Sequence, residues 1–145
     1  MSELKEYLLP YDWKISFPKE WAHEFEPYPE GDQHLFYPQD SDLTFRINSF
    51  CIQNESGYAP IKVLSEVFCS SCRKSKLKRN KTPNISGNNY FSEYFKGITK
   101  ENGKKIHWVS IGIMIEGFLL KINIFGENNN SIERALCYIK TINKV

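Results

Sequence analysis

The sequence predicts an α+β domain, a twisted antiparallel sheet of about six strands with two helices, because strands come in runs punctuated by single helices. Three observations carry this expectation. Segments with apolar and polar residues alternating at period two occur in two runs of three. Each run is followed by one stretch with helical spacing. The second run is joined by turn signals short enough for hairpins. The predicted order is β-β-β-α-β-β-β-α, spread over residues 1–145 as one domain.

"YDWKISF" opens the first run, with Trp13, Ile15 and Phe17 on one face. Pro18 ends it, and "PKEW" reads as a turn. From Glu20 to Asp42 the chain carries carboxylates and aromatic rings but no lysine or arginine. Pro27, Pro29 and Gly31 rule out a long regular element there, although "HLFYP" reads as a short strand. "LTFRINSFCI" is a stronger strand, with Leu43, Phe45, Ile47 and Cys51 pointing one way. Pro60 suits a first helical turn, and Ile61, Leu64, Val67 and Phe68 follow at helical spacing, which predicts a helix over 59–77.

After a basic linker, "YFSEYFKGIT", "KIHWVSIGIMI" and "FLLKINIF" read as a meander. Asn102-Gly103 and Glu116-Gly117 supply its turns. Asn130 with Glu133 predicts the start of a last helix. Its buried stripe is Ile132, Ala135, Leu136, Ile139 and Ile142.

The opening "YDWKISFPKEW", in which Ile15, Phe17, Pro18 and Trp21 fit an aromatic, strand-forming start, resembles the PsbP/DcrB-like group of small domains. The order of elements is similar over nearly the whole chain. That group is functionally mixed, and most of its members bind other proteins. The resemblance therefore implies a PsbP-like fold and a binding role without a reaction.

Composition excludes several classes of function. A hydrophobic fraction of 41% and a charged fraction of 25% are those of a folded globular chain. A net charge of +2 is too small to imply nucleic-acid binding by itself. No apolar run approaches the roughly 20 residues that span a bilayer, so no membrane is expected. The amino-terminal residues carry scattered charges and no apolar signal core, which makes the cytosol the expected compartment and reduced thiols the expected state.

Catalytic signatures are missing: there is no Walker loop, no G-x-G-x-x-G and no G-x-S-x-G. Cys69 and Cys72 form one C-x-x-C without a second, short of a zinc tetrahedron. They are expected near a helix surface, with Cys51 and Cys137 packed as small hydrophobes, and no metal or cofactor is expected. His23 and His34 lie among Glu24, Glu26 and Asp32, which could raise their pKa, but nothing fixes their geometry and they are expected in a solvated loop. His107, beside Trp108, is expected at a sheet surface.

Two segments remain as binding candidates. Arg73, Lys74, Lys76, Lys78, Arg79 and Lys81 form a basic run that no acidic residue interrupts, suited to an anionic partner. It holds no interleaved ring for base stacking, and the dipole of a helix end explains part of it. In the acidic segment, Trp21 and Phe36 are expected in the core, leaving Glu24, Phe25, Glu26, Tyr28, Glu30, Asp32, His34 and Tyr37 as the candidate face. Rings ringed by carboxylates complement a basic protein. The sharpest expectation is a cytosolic immunity protein that occludes the cationic surface of a nuclease-type, contact-dependent toxin. The alternatives are an adaptor or chaperone for a secreted effector, an anionic-partner binder through residues 73–81, and last an undetected hydrolase.

Overall fold

The computed structural model describes residues 3–27, 32–80 and 90–145. Strand β1 (Leu4–Leu9) passes through a short 3-10 turn, Pro10–Asp12, into β2 (Trp13–Pro18). Then come β3 (Ala22–Glu26), β4 (Gln33–Tyr37), β5 (Thr44–Cys51) and the small hairpin of β6 (Gln53–Asn54) and β7 (Gly57–Tyr58). Helix α1 (Ile61–Lys74) leads to β8 (Lys78–Arg79) and the long strands β9 (Phe91–Glu101), β10 (Lys104–Ile115) and β11 (Phe118–Gly126). Helix α2 (Asn129–Ala135) continues as a 3-10 stretch, Leu136–Thr141, before β12 (Asn143–Lys144).

The main sheet has the order β3-β4-β5-β11-β10-β9-β8, and every pairing is antiparallel. A smaller sheet, β1-β2-β12, packs on one face of it together with α2. There Trp13, Ile15 and Phe17 of β2 meet Phe45, Ile47, Ile111 and Ile122 of the main sheet, all at most 1% exposed. Helix α1 covers part of the opposite face, pressing Leu64, Phe68, Cys69 and Cys72 onto Phe95, Met114 and Leu119. An α+β domain with an antiparallel sheet and two helices is thus the fold, as the alternation of strands and helices predicts.

The differences from expectation have local causes. Leu4–Leu9 forms a strand that the sequence does not announce, because its outward residues Leu4 and Leu8 remain 48% and 64% exposed and it exists through pairing with β2. Ala22–Glu26 is a strand despite the prolines beyond it, since β4 offers it a complete partner. Helix α1 stops at Lys74, before the expected end at residue 77. Lys76 turns left-handed at φ 63°, and Leu77 N–H donates to the Cys72 carbonyl while Lys76 N–H donates to that of Arg73, the paired bonds of a Schellman ending. Of the residues at helical spacing, Leu64 and Phe68 are buried and Val67 is 48% exposed. The cap of α2 is Asn128, whose side chain accepts from Asn130 N–H, and Asn130 itself is already helical.

Candidate functional site: the β3–β4 edge hairpin

Among the described residues, β3 is the terminal strand of the main sheet, paired only with β4. Successive side chains of a strand point to opposite faces. Glu24 and Glu26 therefore face the α1 side of the sheet, as do Tyr37 and Gln33, while His23 and Phe25 face the small sheet with His34 and Phe36. The segment expected to present one mixed face is divided between two.

On the first face, Glu24 is exposed and accepts the Tyr37 hydroxyl, and burial together with that carboxylate raises the Tyr37 pKa. Glu26 is half-buried. Asp32 is half-buried and its carbonyl accepts from Asn48 Nδ2 at 3.4 Å. Tyr28 and Glu30 lie outside the described residues.

On the second face the rings form one assembly. Phe25 is 51% exposed and sits 5.0 Å from the ring of His34. His34 is only 8% exposed, and its Nδ1 lies 2.9 Å from Nε2 of His23. The two imidazoles are parallel within 6°, with centroids 5.2 Å apart. That separation is the most their N···N contact allows, so the rings meet end to end in one plane. Phe36 lies flat beneath His23 at 4.5 Å, Phe17 stacks on Phe36 at 4.5 Å, and Trp21 stacks on Phe17 at 5.2 Å. Tyr7 of β1 closes the side, edge-on to His23 at 4.9 Å.

Both histidines therefore lie on strands and not in a loop, His34 buried and His23 exposed at the edge, and their pKa moves opposite to the expectation from nearby carboxylates. Burial, with Lys5 behind it, lowers His23. Burial and then His23 lower His34, against a smaller opposing pull from Asp32. A lowered pKa favours the neutral rings at pH 7, and between two neutral rings one nitrogen donates and the other accepts. His23, absent from the expected face, is half of its most ordered contact; only recognition of β3 as a strand could have signalled this.

The basic run behaves differently. Arg73, Lys74, Lys76 and Lys78 are exposed at the end of α1. Arg79 is engaged: its Nη2 lies 2.9 Å from Glu93 Oε2 and 3.2 Å from Cys69 Sγ. Lys81 lies outside the described residues. The expectations for Cys69, Cys72 and Cys137 are reversed. Cys69 and Cys72 are 3% and 2% exposed because they belong to the inward stripe of α1, whereas Cys137 is exposed and Cys51 half-buried. Burial pushes the Cys72 thiol up. Among the described residues no three His, Cys, Asp or Glu side chains gather as a metal site would require. None of their helices is long and apolar enough to cross a membrane.

No family model and no curated protein matches the chain. Solved structures do. A crystal structure from Bacteroides thetaiotaomicron VPI-5482 is similar with a TM-score of 0.70 at 17% identity, over 97% of this chain and 48% of that one, so this chain spans about half its length. LpqN, involved in cell envelope biogenesis of Mycobacterium tuberculosis, is similar with a TM-score of 0.62 at 13% identity, covering 97% of this chain and 92% of LpqN. The cyanobacterial PsbP, CyanoP, of Synechocystis sp. PCC 6803 gives 0.55 at 10% identity, covering 100% and 94%. At these identities the likeness is one of fold, and the fold is PsbP-like.

Proposed function

We propose that the chain is a non-catalytic protein-binding domain that grips a basic partner along the β3–β4 hairpin. One observation carries this reading: Phe25 is 51% exposed on a terminal strand, flanked by Glu24 and Glu26. Charge alone is a common guard against edge-to-edge aggregation. A half-exposed phenylalanine between two carboxylates is a poor guard and a good anchor. Because β3 divides its side chains, a partner docking along the strand touches Phe25 on one side and Glu24 on the other. In its sharpest form the partner is a cationic nuclease toxin and the chain its cytosolic immunity protein, with the hairpin occluding the surface that would bind nucleic acid.

The test begins with a photo-crosslinking phenylalanine analogue in place of Phe25, followed by affinity measurements on the purified crosslinked protein. Glu24→Lys with Glu26→Lys should weaken binding at least tenfold, about 1.4 kcal/mol, and Phe25→Ala similarly. If the reversals leave affinity unchanged, the acidic edge is not the binding surface. If the partner is an enzyme acting on nucleic acid, stoichiometric inhibition supports the immunity form, and binding without inhibition removes it.

A second reading, an adaptor for a secreted effector, draws on the apolar notch of about 150 Å³ where Val67 of α1 meets Phe50, Ile52 and Leu119. Val67→Asp should abolish binding on that reading and leave hairpin-mediated binding intact.

A further inference from the structure

We infer that the coplanar His23–His34 pair is a proton-operated latch, which holds β3 on β4 while one bridging hydrogen joins the rings and lets it go when both rings are charged. The latch deepens the reading of the hairpin as a binding edge, since releasing β3 dismantles that edge. Its own existence depends only on the free chain.

The geometry decides what the pair can do. With the rings end to end and 2.9 Å between Nε2 of His23 and Nδ1 of His34, the bridging hydrogen of one nitrogen points straight at the lone pair of the other. Lone pairs that face one another serve a hydrogen bond; a tetrahedral metal needs lone pairs that converge on a third point. A first added proton goes to an outward nitrogen of the donating ring. The bridge survives, now charge-assisted, and where His23 is the donor the new cation would lie over the face of Phe36 at 4.5 Å. A second proton has only the accepting bridge nitrogen left in the other ring. Two N–H groups would then meet head to head on adjacent cations, and the bridge is lost.

The surroundings add to this without changing the sequence of events. On β1, Lys5 Nζ stands 5.0 Å above the Tyr7 ring, which itself meets His23, and it opposes the protonation of His23. Before β4, Asp32 pulls the other way on His34. Phe17 and Trp21, beneath Phe36, bring no charge. Among the described residues β3 has no neighbouring strand except β4, so the loss of a side-chain bond between them is felt as fraying of the edge. Phe25 loses its support at the same time, since it rests on His34. A partner held at neutral pH is released in acid.

The experiment is an NMR pH titration of both imidazoles in the free full-length chain, with amide hydrogen exchange across residues 22–26 and, as reference, β10. Two coupled steps are expected, both below the ordinary value of 6.5. Protection of β3 should persist through the first step and fall about tenfold through the second, while β10 stays unchanged. In His23→Gln the amide can donate to or accept from His34, so β3 protection should become flat with pH. His34→Gln should do the same. Independent titrations near 6.5, an unbroken β3 ladder after the second step, or unchanged acid fraying in both Gln variants would overturn the latch. A latch that works in a chain whose Phe25 captures no partner removes only the binding reading. A partner that binds at the hairpin while β3 stays protected in acid removes only the latch.

Discussion

Phe68 presses so closely on Gly112 that a Cβ at residue 112 would stand 2.9 Å from its Cγ. Gly112 is buried at the middle of β10, where α1 crosses the sheet. The absent side chain lets the helix approach, and Phe68 fills the space down to 1% exposure. Gly112→Ala should cost about 1–3 kcal/mol, because an extra methyl in a filled core forces side chains off their rotamers. Gly126→Ala is the internal comparison: its Cβ would meet Ile132 Cγ1 at 3.5 Å, an ordinary contact, and stability should be unchanged or slightly raised. Urea denaturation of the two variants checks the difference, and equal midpoints would mean that α1 shifts freely on the sheet.

Much of the fold was legible because burial enforces period. Trp13, Ile15 and Phe17 alternate inward as written, and the Asn102-Gly103 turn adopts φ of 51° and 78°, the left-handed pair that a two-residue hairpin requires. What escaped was structure made by partners. Leu4 and Leu8 face outward on β1 and so leave no apolar alternation of the usual kind. Pro27 and Gly31 made residues 20–42 look irregular, and pairing with β4 still orders Ala22–Glu26. The site suffered from the same omission. Had β3 been recognised, period two alone would have placed Glu24 opposite Phe25 and brought His23 toward His34. Cys69 and Cys72, expected near a helix surface, lie on the inward stripe of α1, which spacing alone does not distinguish from the outward one.

The start of α2 offers a small test of local chemistry. Asn128 Oδ1 accepts from Asn130 N–H at 2.8 Å, satisfying a donor that the first helical turn leaves open. Asn128→Ala should cost about 0.5–2 kcal/mol, whereas Asn130→Ala should cost almost nothing. Thermal melts of both variants decide it. A larger loss from Asn130→Ala would return the cap to residue 130.

Stability should fall in acid, and the sign follows from the histidines. Burial holds both rings below 6.5 in the folded chain, so between that value and the depressed folded pKa the unfolded chain binds more protons. Stability from this source is complete above about 6.5, declines as pH falls through the window beneath it, and stops declining below the folded values. Urea midpoints taken at intervals down this range should show the slope in the native sequence. A double variant, His23→Gln with His34→Gln, should show a shallower slope. Equal slopes would assign the acid loss to carboxylates.

Among the described residues of the basic run, Arg79 is the cation that the fold itself uses. Glu93 is 9% exposed and accepts from Ser65 Oγ at 3.0 Å as well as from the Arg79 guanidinium at 2.9 Å. The same guanidinium donates to Cys69 Sγ at 3.2 Å and lies over the Phe95 ring at 5.8 Å. Removing it leaves a largely buried carboxylate with one hydroxyl, a loss on the order of 1–3 kcal/mol, at the lower end because the Arg79 side chain is 52% exposed to solvent. Alanine at Lys74, Lys76 or Lys78, all exposed, should change stability by less than about 0.5 kcal/mol. Thiol labelling supplies a second readout. Cys137, exposed, should react first; Cys72 should resist, being buried with its thiol pKa pushed up. In Arg79→Ala, Cys69 loses its cover and should label faster while Cys72 does not. If Arg79→Ala matches the lysine variants in stability and leaves Cys69 as protected as before, then Arg79 is as free to meet an anionic partner as the lysines around it.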